Sequence, residues 1–567
     1  MISHKALIVP LAWMVMALAT LSLALPRIDD LGLYYDEAFL AQQARGFVEP
    51  DRAGVHPASV RTEWIAGRPF PIRNAAYLGS LKSQLLIPSL AVFGASPFVL
   101  RVSTLVTGLL GLLFCMLWAR RFLGDHAAVI SGLLIASDPS FYLFSQFEWG
   151  PFTSMLLCRG AGLYFLSLAF APDKRHSGWF ALVLGAACMG LGIYSRVDFV
   201  VILAALSIGM LAFRRDVAIA AWRDHRAKIA AGSAVFLLTA SPAIAVVSEI
   251  LLAGSAIADR GDIGYRIDVL ASVLDGSHFF RLISAGGLFD DLFVVDAPAN
   301  GFIFVLCISA VVIAFPKLRG PSLRSGSAGF LILTTILLAA FMLLIPGAVR
   351  AHHMLNTLPF PHLIVASAGV GLWQRSWATQ RNRLFARSCI AISLVACLYS
   401  NADTISKTRQ LIRDTGGTGR FSIALQDFAR EVDNSSDAEN SRFVSLDWGF
   451  HEPLLFTTQH VKLSEPIWAL TKPAIVRSPY IANGDRHTIY LIHEAPYDLF
   501  GLGAPFLEAL HASDPEHYTI RDHLDGSGNL AFKSVRFERP HQLHFNGKFR
   551  FQLREAELPQ PAAAVLR

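Results

Sequence analysis

Residues 98–121 read FVLRVSTLVTGLLGLLFCMLWARR. Apart from Arg101, nothing in this run is charged until Arg120 and Arg121 close it. A bilayer crossing needs about 20 mostly apolar residues, and the basic end of such a helix favours the cytoplasmic side. The pattern recurs along the chain. Spans are predicted over 6–25, 98–118, 127–144, 152–170, 178–194, 197–213, 229–250, 301–315, 328–346, 353–373 and 387–400, of which 301–315 and 387–400 are short. The first reads as an uncleaved helix, because its apolar run exceeds the roughly 7–15 residues of a signal peptide. The segment 77–94 is apolar but broken by Lys82 and Pro88, and reads as a helix lying in the membrane interface. With that choice the basic clusters from Arg120 to Arg387 fall on one side, and the short loops opposite hold only Arg196 and Arg350. The N-terminus is then cytoplasmic, and 26–97, 251–300 and 401–567 face outward.

Composition agrees. Of 567 residues, 53% are hydrophobic and 16% charged, against about 25% charged in a soluble domain. A disordered chain and a nucleic-acid partner are excluded. The six cysteines all lie in apolar runs, which argues against a disulfide framework. The tail from 401 is polar. Its stretches 441–450, 487–496, 518–524 and 529–537 read as strands, and 504–513 as a short helix. The fold class is therefore a polytopic α-helical membrane protein of about eleven spans. Domain 1–400 is transmembrane, and 401–567 is a soluble α/β domain ending in a disordered LPQPAAAVLR.

Three stretches carry candidate chemistry. The first is YYDEAFLAQQARGF, residues 34–47, just beyond the first span. Asp36 and Glu37 start a short amphipathic helix there. The plain reading is an N-cap and a first-turn acid; the functional one is a general base at the lipid–water boundary. The second runs from Asn74 to Leu166 and contains Tyr77, Lys82, Glu148, Pro151 and the double arginine. The third is LIPGAVRAHHMLNTLPFPHLIVA, 344–366, which places Arg350, His352 and His353 at a turn between spans. Snorkelling explains one such cation; a cluster suits a lipid-linked phosphate.

The order of these motifs resembles the GT-C membrane glycosyltransferases that use polyprenyl-phosphate sugars, with the lipid A aminoarabinose transferases and protein O-mannosyltransferases nearest in pattern. The resemblance covers about 5–170, and 340–375 more loosely. It implies an inverting transfer of a hexosyl or pentosyl unit from a polyprenyl-phosphate sugar to an acceptor hydroxyl on a glycolipid, polysaccharide or protein. Asp36, Glu37 and Glu148 are the implied catalytic acids. Tyr77, Lys82, Arg350, His352 and His353 are the implied substrate-binding residues. The second outer loop departs from relatives, which often carry Arg-Pro-Asp where this chain has Gln146-Phe147-Glu148. No cofactor is expected; a divalent metal on outer-loop carboxylates stays open as the alternative, without support in the residues. The pairs His451–Glu452 and His493–Glu494 lack a third ligand for zinc, and no Walker loop is present. The expected location is a bacterial inner membrane, with the C-terminal domain extracytoplasmic. The competing classes are a secondary transporter, disfavoured by the absence of an inverted repeat, and a non-catalytic membrane scaffold with an outer sensing domain.

Overall fold

The computed structural model describes residues 4–52, 61–75, 77–171, 178–245, 262–288, 291–318, 325–345, 350–470, 480–512, 517–546 and 550–555. Parts of the segments 26–97 and 251–300, expected to face outward, and the terminal LPQPAAAVLR lie outside the described residues. The chain divides into two compact units. The first holds Met1–Ile28, Gln43–Arg281 and Phe293–Gln410. The second holds Asp29–Gln42, Leu282–Leu292 and Leu411–Arg567.

Over their described residues the apolar segments named above are helical, with a break in 127–144. Among the described residues, seven helices are long and apolar enough to cross a bilayer: Leu7–Arg27, Pro97–Leu123, Phe152–Ala169, Arg226–Ile244, Gly326–Leu344, Ala351–Gln374 and Gln380–Thr415. Shorter apolar helices cover Leu81–Phe93, Asp125–Ala136, Trp179–Ser195, Phe199–Phe213 and Phe302–Ala314. The chain is an integral membrane protein.

Local chemistry sets the helix ends. Ser96 caps the helix Pro97–Leu123, its hydroxyl accepting from the Val99 N–H at 3.2 Å, a contribution of about 1 kcal/mol. Arg120 and Arg121 sit at its negative end, and Gly124 stops it at φ +97°. The sequence predicts one helix over 127–144, but the structure has two, Asp125–Ala136 and Pro139–Phe144. Pro139 lacks an N–H and biases its predecessor away from helix. Asp138 instead restarts the chain, accepting from the N–H groups of Ser140 (2.8 Å) and Phe141 (3.1 Å). The helix expected over 387–400 runs much further, Gln380–Thr415.

Glycines let neighbouring helices close in. A Cβ on Gly111 would come 3.0 Å from the Leu157 backbone nitrogen, and one on Gly160 3.0 Å from Cys115. That close approach suits membrane packing, where no hydrophobic force joins helices. The outer surfaces of the first and last long helices are apolar, with Val15, Leu18, Leu23, Ile392, Val395 and Tyr399 exposed. Water would penalise such a surface, whereas lipid does not.

The second unit is built on a five-stranded sheet. Its strand order is Lys462–Ser464, Arg442–Ser445, Thr488–Ile492, Leu530–Phe537, Tyr518–Leu524, with the first three parallel and the last two antiparallel. Successive strand residues point to opposite faces. Val444, Tyr490, Ile492, Val535 and Phe537 pack on one face with Phe506 and Leu510 of the helix Gly503–His511. Phe443, Ile489, Leu491 and Phe532 pack on the other with Phe428 and Val432 of the helix Ala424–Asp433. Strands buried on both faces read as continuous apolar runs, as TIYLI does here.

Candidate functional site

Lys82 stands in the first turn of the helix Leu81–Phe93 and is only 4% exposed. Two side chains before and within that turn are pinned: Ser80 donates to Asn74 (2.5 Å), and Asn74 donates to Ser83 (2.8 Å). A cation at a helix N-terminus opposes the dipole, and a buried one needs a counter-charge. Glu148 supplies it, with its carboxylate 2.7 Å from the Lys82 ammonium. Lys82 also donates to the carbonyls of Glu148 (3.2 Å) and Gly150 (3.4 Å). Thr153 completes the Glu148 site through its backbone N–H and its hydroxyl. Burial pushes the Glu148 carboxyl up, and Lys82 and Thr153 pull it back.

Gly150 is the next link. Its φ is +87°, a conformation glycine adopts without a Cβ penalty. A Cβ there would meet His352 at 3.4 Å and Arg196 Nη1 at 3.5 Å. Arg196 ends the helix Trp179–Ser195 in extended backbone. Its Nη2 lies 2.6 Å from His353 Nε2, and its Nε 3.4 Å from Asp198 Oδ2. His353 Nδ1 is 2.9 Å from the same Asp198 oxygen. The guanidinium only donates, so Nε2 must accept. The network therefore assigns the His353 proton to Nδ1, where it is donated to Asp198.

The remaining expected binding residues of this unit lie in the same region. The Arg196 guanidinium is 5.7 Å above the Tyr77 ring, and Tyr77 is 46% exposed. The rings of His352 and His353 are 4.4 Å apart. Arg350 precedes the short helix Ala351–Met354, donates to the Tyr265 hydroxyl at 3.1 Å, and lies 5.8 Å over that ring. Tyr77, Lys82, Glu148, Arg350, His352 and His353 thus belong to the first unit, and Asp36 and Glu37 to the second.

In the second unit, Asp36 and Glu37 occupy the first turn of a helix that begins at Tyr35, with Glu37 buried. Tyr34 stacks on Phe421 at 4.4 Å and meets Trp448 edge-on at 5.5 Å. Tyr35 lies 4.5 Å from Trp448, and its hydroxyl donates to Glu465 at 3.3 Å. Trp468 Nε1 donates to the same carboxylate at 2.6 Å. Trp448 is positioned by its neighbour Asp447, which is buried, takes His493 Nδ1 at 2.7 Å, and accepts from the N–H groups of Leu499 and Phe500 at 3.2 Å. Burial lifts the Glu465 carboxyl to about 7, with Trp468 and Tyr35 opposing. Burial, reinforced by Glu465 and Asp36, pushes Glu452 well above the usual carboxylate range. The Tyr35 phenol is raised by burial and by the charges of Glu452, Glu465 and Asp36. Among the described residues, no group of three or more His, Cys, Asp or Glu side chains is arranged to hold a metal ion.

Sequence reasoning missed four participants. Arg196 and Asp198 read only as charges at a helix end. Glu452 was visible only as half of a weak zinc pair, and Glu465 carried no signal.

Residues 85–245 match the family model described as dolichyl-phosphate-mannose-protein mannosyltransferase. No curated protein sequence matches the chain. ArnT from Cupriavidus metallidurans in the apo state is 14% identical with a TM-score of 0.55, over 95% of this chain and 98% of that one. The same protein bound to undecaprenyl phosphate is 13% identical with a TM-score of 0.53, over 93% and 98%. The Archaeoglobus fulgidus oligosaccharyltransferase in its apo form is 15% identical, with a TM-score of 0.49 over 92% of this chain and 70% of that one. This chain shares its fold with ArnT from Cupriavidus metallidurans and, over 85–245, matches the family model of the dolichyl-phosphate-mannose-protein mannosyltransferases.

Proposed function

We propose that the chain transfers a sugar from a polyprenyl-phosphate donor to an acceptor hydroxyl. The observation that carries this reading is the pair of buried cations near Gly150: Lys82 donates to its carbonyl, and Arg196 Nη1 would lie 3.5 Å from a Cβ placed on it. Cations in a low-dielectric setting attract phosphate strongly. The undecaprenyl phosphate bound to ArnT supports a lipid-linked donor. In this reading Lys82, Arg350 and Arg196, with Tyr77 and His352 beside them, take the donor phosphate. They stabilise the charge that develops as the anomeric carbon–oxygen bond breaks. The acceptor oxygen attacks the anomeric carbon, the phosphate leaves with the bonding electrons, and the sugar inverts. Asp36 takes the acceptor proton, and Glu37 supports it. Glu148 acts by holding Lys82. The reaction belongs on the outer face of a bacterial inner membrane, where lipid rather than nucleotide carries the sugar.

The test uses the purified full chain in nanodiscs with a polyprenyl-phosphate sugar and a panel of lipid, polysaccharide and peptide acceptors. The expected result is release of polyprenyl phosphate with sugar appearing on one acceptor class. Transfer from a nucleotide sugar but not from the lipid donor would overturn the reading.

A further inference from the structure

Arg196 is buried, with 5% of its surface exposed, and is held by Asp198, two residues on, and by His353, 157 residues away. Asp198 gives it a counter-charge, and His353, itself fixed by Asp198, accepts from Nη2. Asn356 Nδ2 approaches the same Asp198 oxygen at 3.4 Å. Nη1 makes none of these contacts and would lie 3.5 Å from a Cβ on Gly150, whose carbonyl accepts from Lys82. The Nε and Nη2 atoms of the guanidinium are therefore occupied from within, by Asp198 and His353.

The network is not closed. Asp198 Oδ1, Asn356 Oδ1, and Nε and Nη2 of the fully buried Arg159 have no hydrogen-bond partner among the described residues. Arg159 joins the same chain of contacts by donating to the Asn356 carbonyl at 2.6 Å. Buried polar atoms of this kind are normally satisfied, and each unmade bond costs free energy. A network with spare donors and acceptors on both signs of charge can exchange partners at less cost than a saturated one.

We propose that Asp198 is an internal stand-in for phosphate. In the empty protein it neutralises Arg196; when the lipid phosphate arrives it yields part of the guanidinium, and when the phosphate product must leave it takes that part back. His353 keeps the fork of Arg196 aligned through the exchange. Both are positioning residues that act through Arg196. This rests on the lipid-phosphate reading above, and it adds a specific consequence. A carboxylate that competes with phosphate weakens phosphate binding, so its removal tightens binding. A purely structural ion pair does the opposite, because breaking it loosens the site.

The probe is undecaprenyl phosphate, titrated against the purified full chain in nanodiscs by displacement of a photoreactive analogue. In Asp198→Asn the Kd falls about tenfold, the scale of one competing charge contact, and multiple-turnover rate falls with it because product leaves slowly. In Arg196→Lys, which keeps the charge but loses the fork, the Kd rises several-fold. An unchanged or higher Kd in Asp198→Asn overturns the proposal. If that variant does not fold, an unchanged Kd in Arg196→Lys overturns it instead. Lys82→Ala and Arg350→Ala separate the two levels. If both bind undecaprenyl phosphate as the wild type does, the lipid-phosphate reading itself fails. If they lose binding while Asp198→Asn is not tightened, only the stand-in role fails.

Discussion

The two units treat charge in opposite ways. In the membrane unit each buried cation near Gly150 has its own carboxylate, Lys82 with Glu148 and Arg196 with Asp198. In the second unit Asp36, Glu452 and Glu465 influence one another electrostatically around Tyr35, and neutral donors, the Tyr35 hydroxyl and the Trp468 indole, serve Glu465. Each of these cations has an opposite charge beside it, the kind of site in which an anion can take a carboxylate's place. Burial lets Glu465 and Glu452 retain protons to higher pH than ordinary carboxylates, and for Glu452 the charges of Glu465 and Asp36 add to it. The same two residue classes yield two chemistries because the partners differ.

The sharpest way to break the contrast is to unpair a charge in the membrane unit. Lys82→Ala leaves Glu148 buried without its cation, and a loss of about 3–5 kcal/mol in stability is expected. Adding Glu148→Gln recovers part of it, read from the thermal midpoint of the detergent-purified single and double variants. Additivity of the two changes would show that the pair is not a unit.

Next is Arg350, whose guanidinium can make two parallel bonds to phosphate oxygens. Arg350→Ala is expected to cost about 2–4 kcal/mol in kcat/KM for the lipid donor, and more than Arg350→Lys. Equal transfer rates for wild type and alanine variant would remove it from the phosphate site.

On the other side of the comparison, Asp36→Asn keeps the side chain's size in the first turn of its helix but accepts no proton at neutral pH. Turnover is expected to fall roughly 10²-fold or more with donor binding retained, while Glu37→Gln is milder. Near-normal turnover in Asp36→Asn would assign the proton to another acid.

The smallest effect concerns pH. The Glu465 carboxyl is raised to about 7 in the folded chain, so between its unfolded value near 4.3 and about 7 the folded state binds more protons than the unfolded one. Stability then falls as pH rises through that window. Thermal midpoints from pH 5 to pH 8 should decline in the wild type and decline less in Glu465→Gln. Parallel curves for both would place the titration elsewhere.

Much of this architecture was legible in the sequence because hydropathy and helix ends are local signals. The run 98–118 and the double arginine specify one helix within a few residues of its observed ends. The strands TIYLI and YTIRDHL were visible for the same reason. The break at Asp138-Pro139 was also written locally, as an acid before a proline, but it was hidden inside an apolar run long enough to read as one span. The charge networks were not local. His353 meets Arg196 across 157 residues, and Tyr35 meets Glu465 across 430. No spacing rule encodes such pairs. Asp36 and Lys82 were found because they sit in motifs with a family order. Asp198 and Glu465 sit in none; Asp198 has Arg196 two residues away, but only the folded chain brings it to His353 and Glu465 to Tyr35.

The central claim is that the cations of the membrane unit receive a lipid-borne phosphate. The most direct measurement is photolabelling of the purified full chain with a polyprenyl-phosphate sugar carrying a crosslinker beside the phosphate, followed by peptide mapping. The account predicts labelling within 77–82, 148–151 or 350–353, abolished by excess undecaprenyl phosphate and unaffected by nucleotide sugar. Labelling elsewhere that undecaprenyl phosphate does not displace would contradict it.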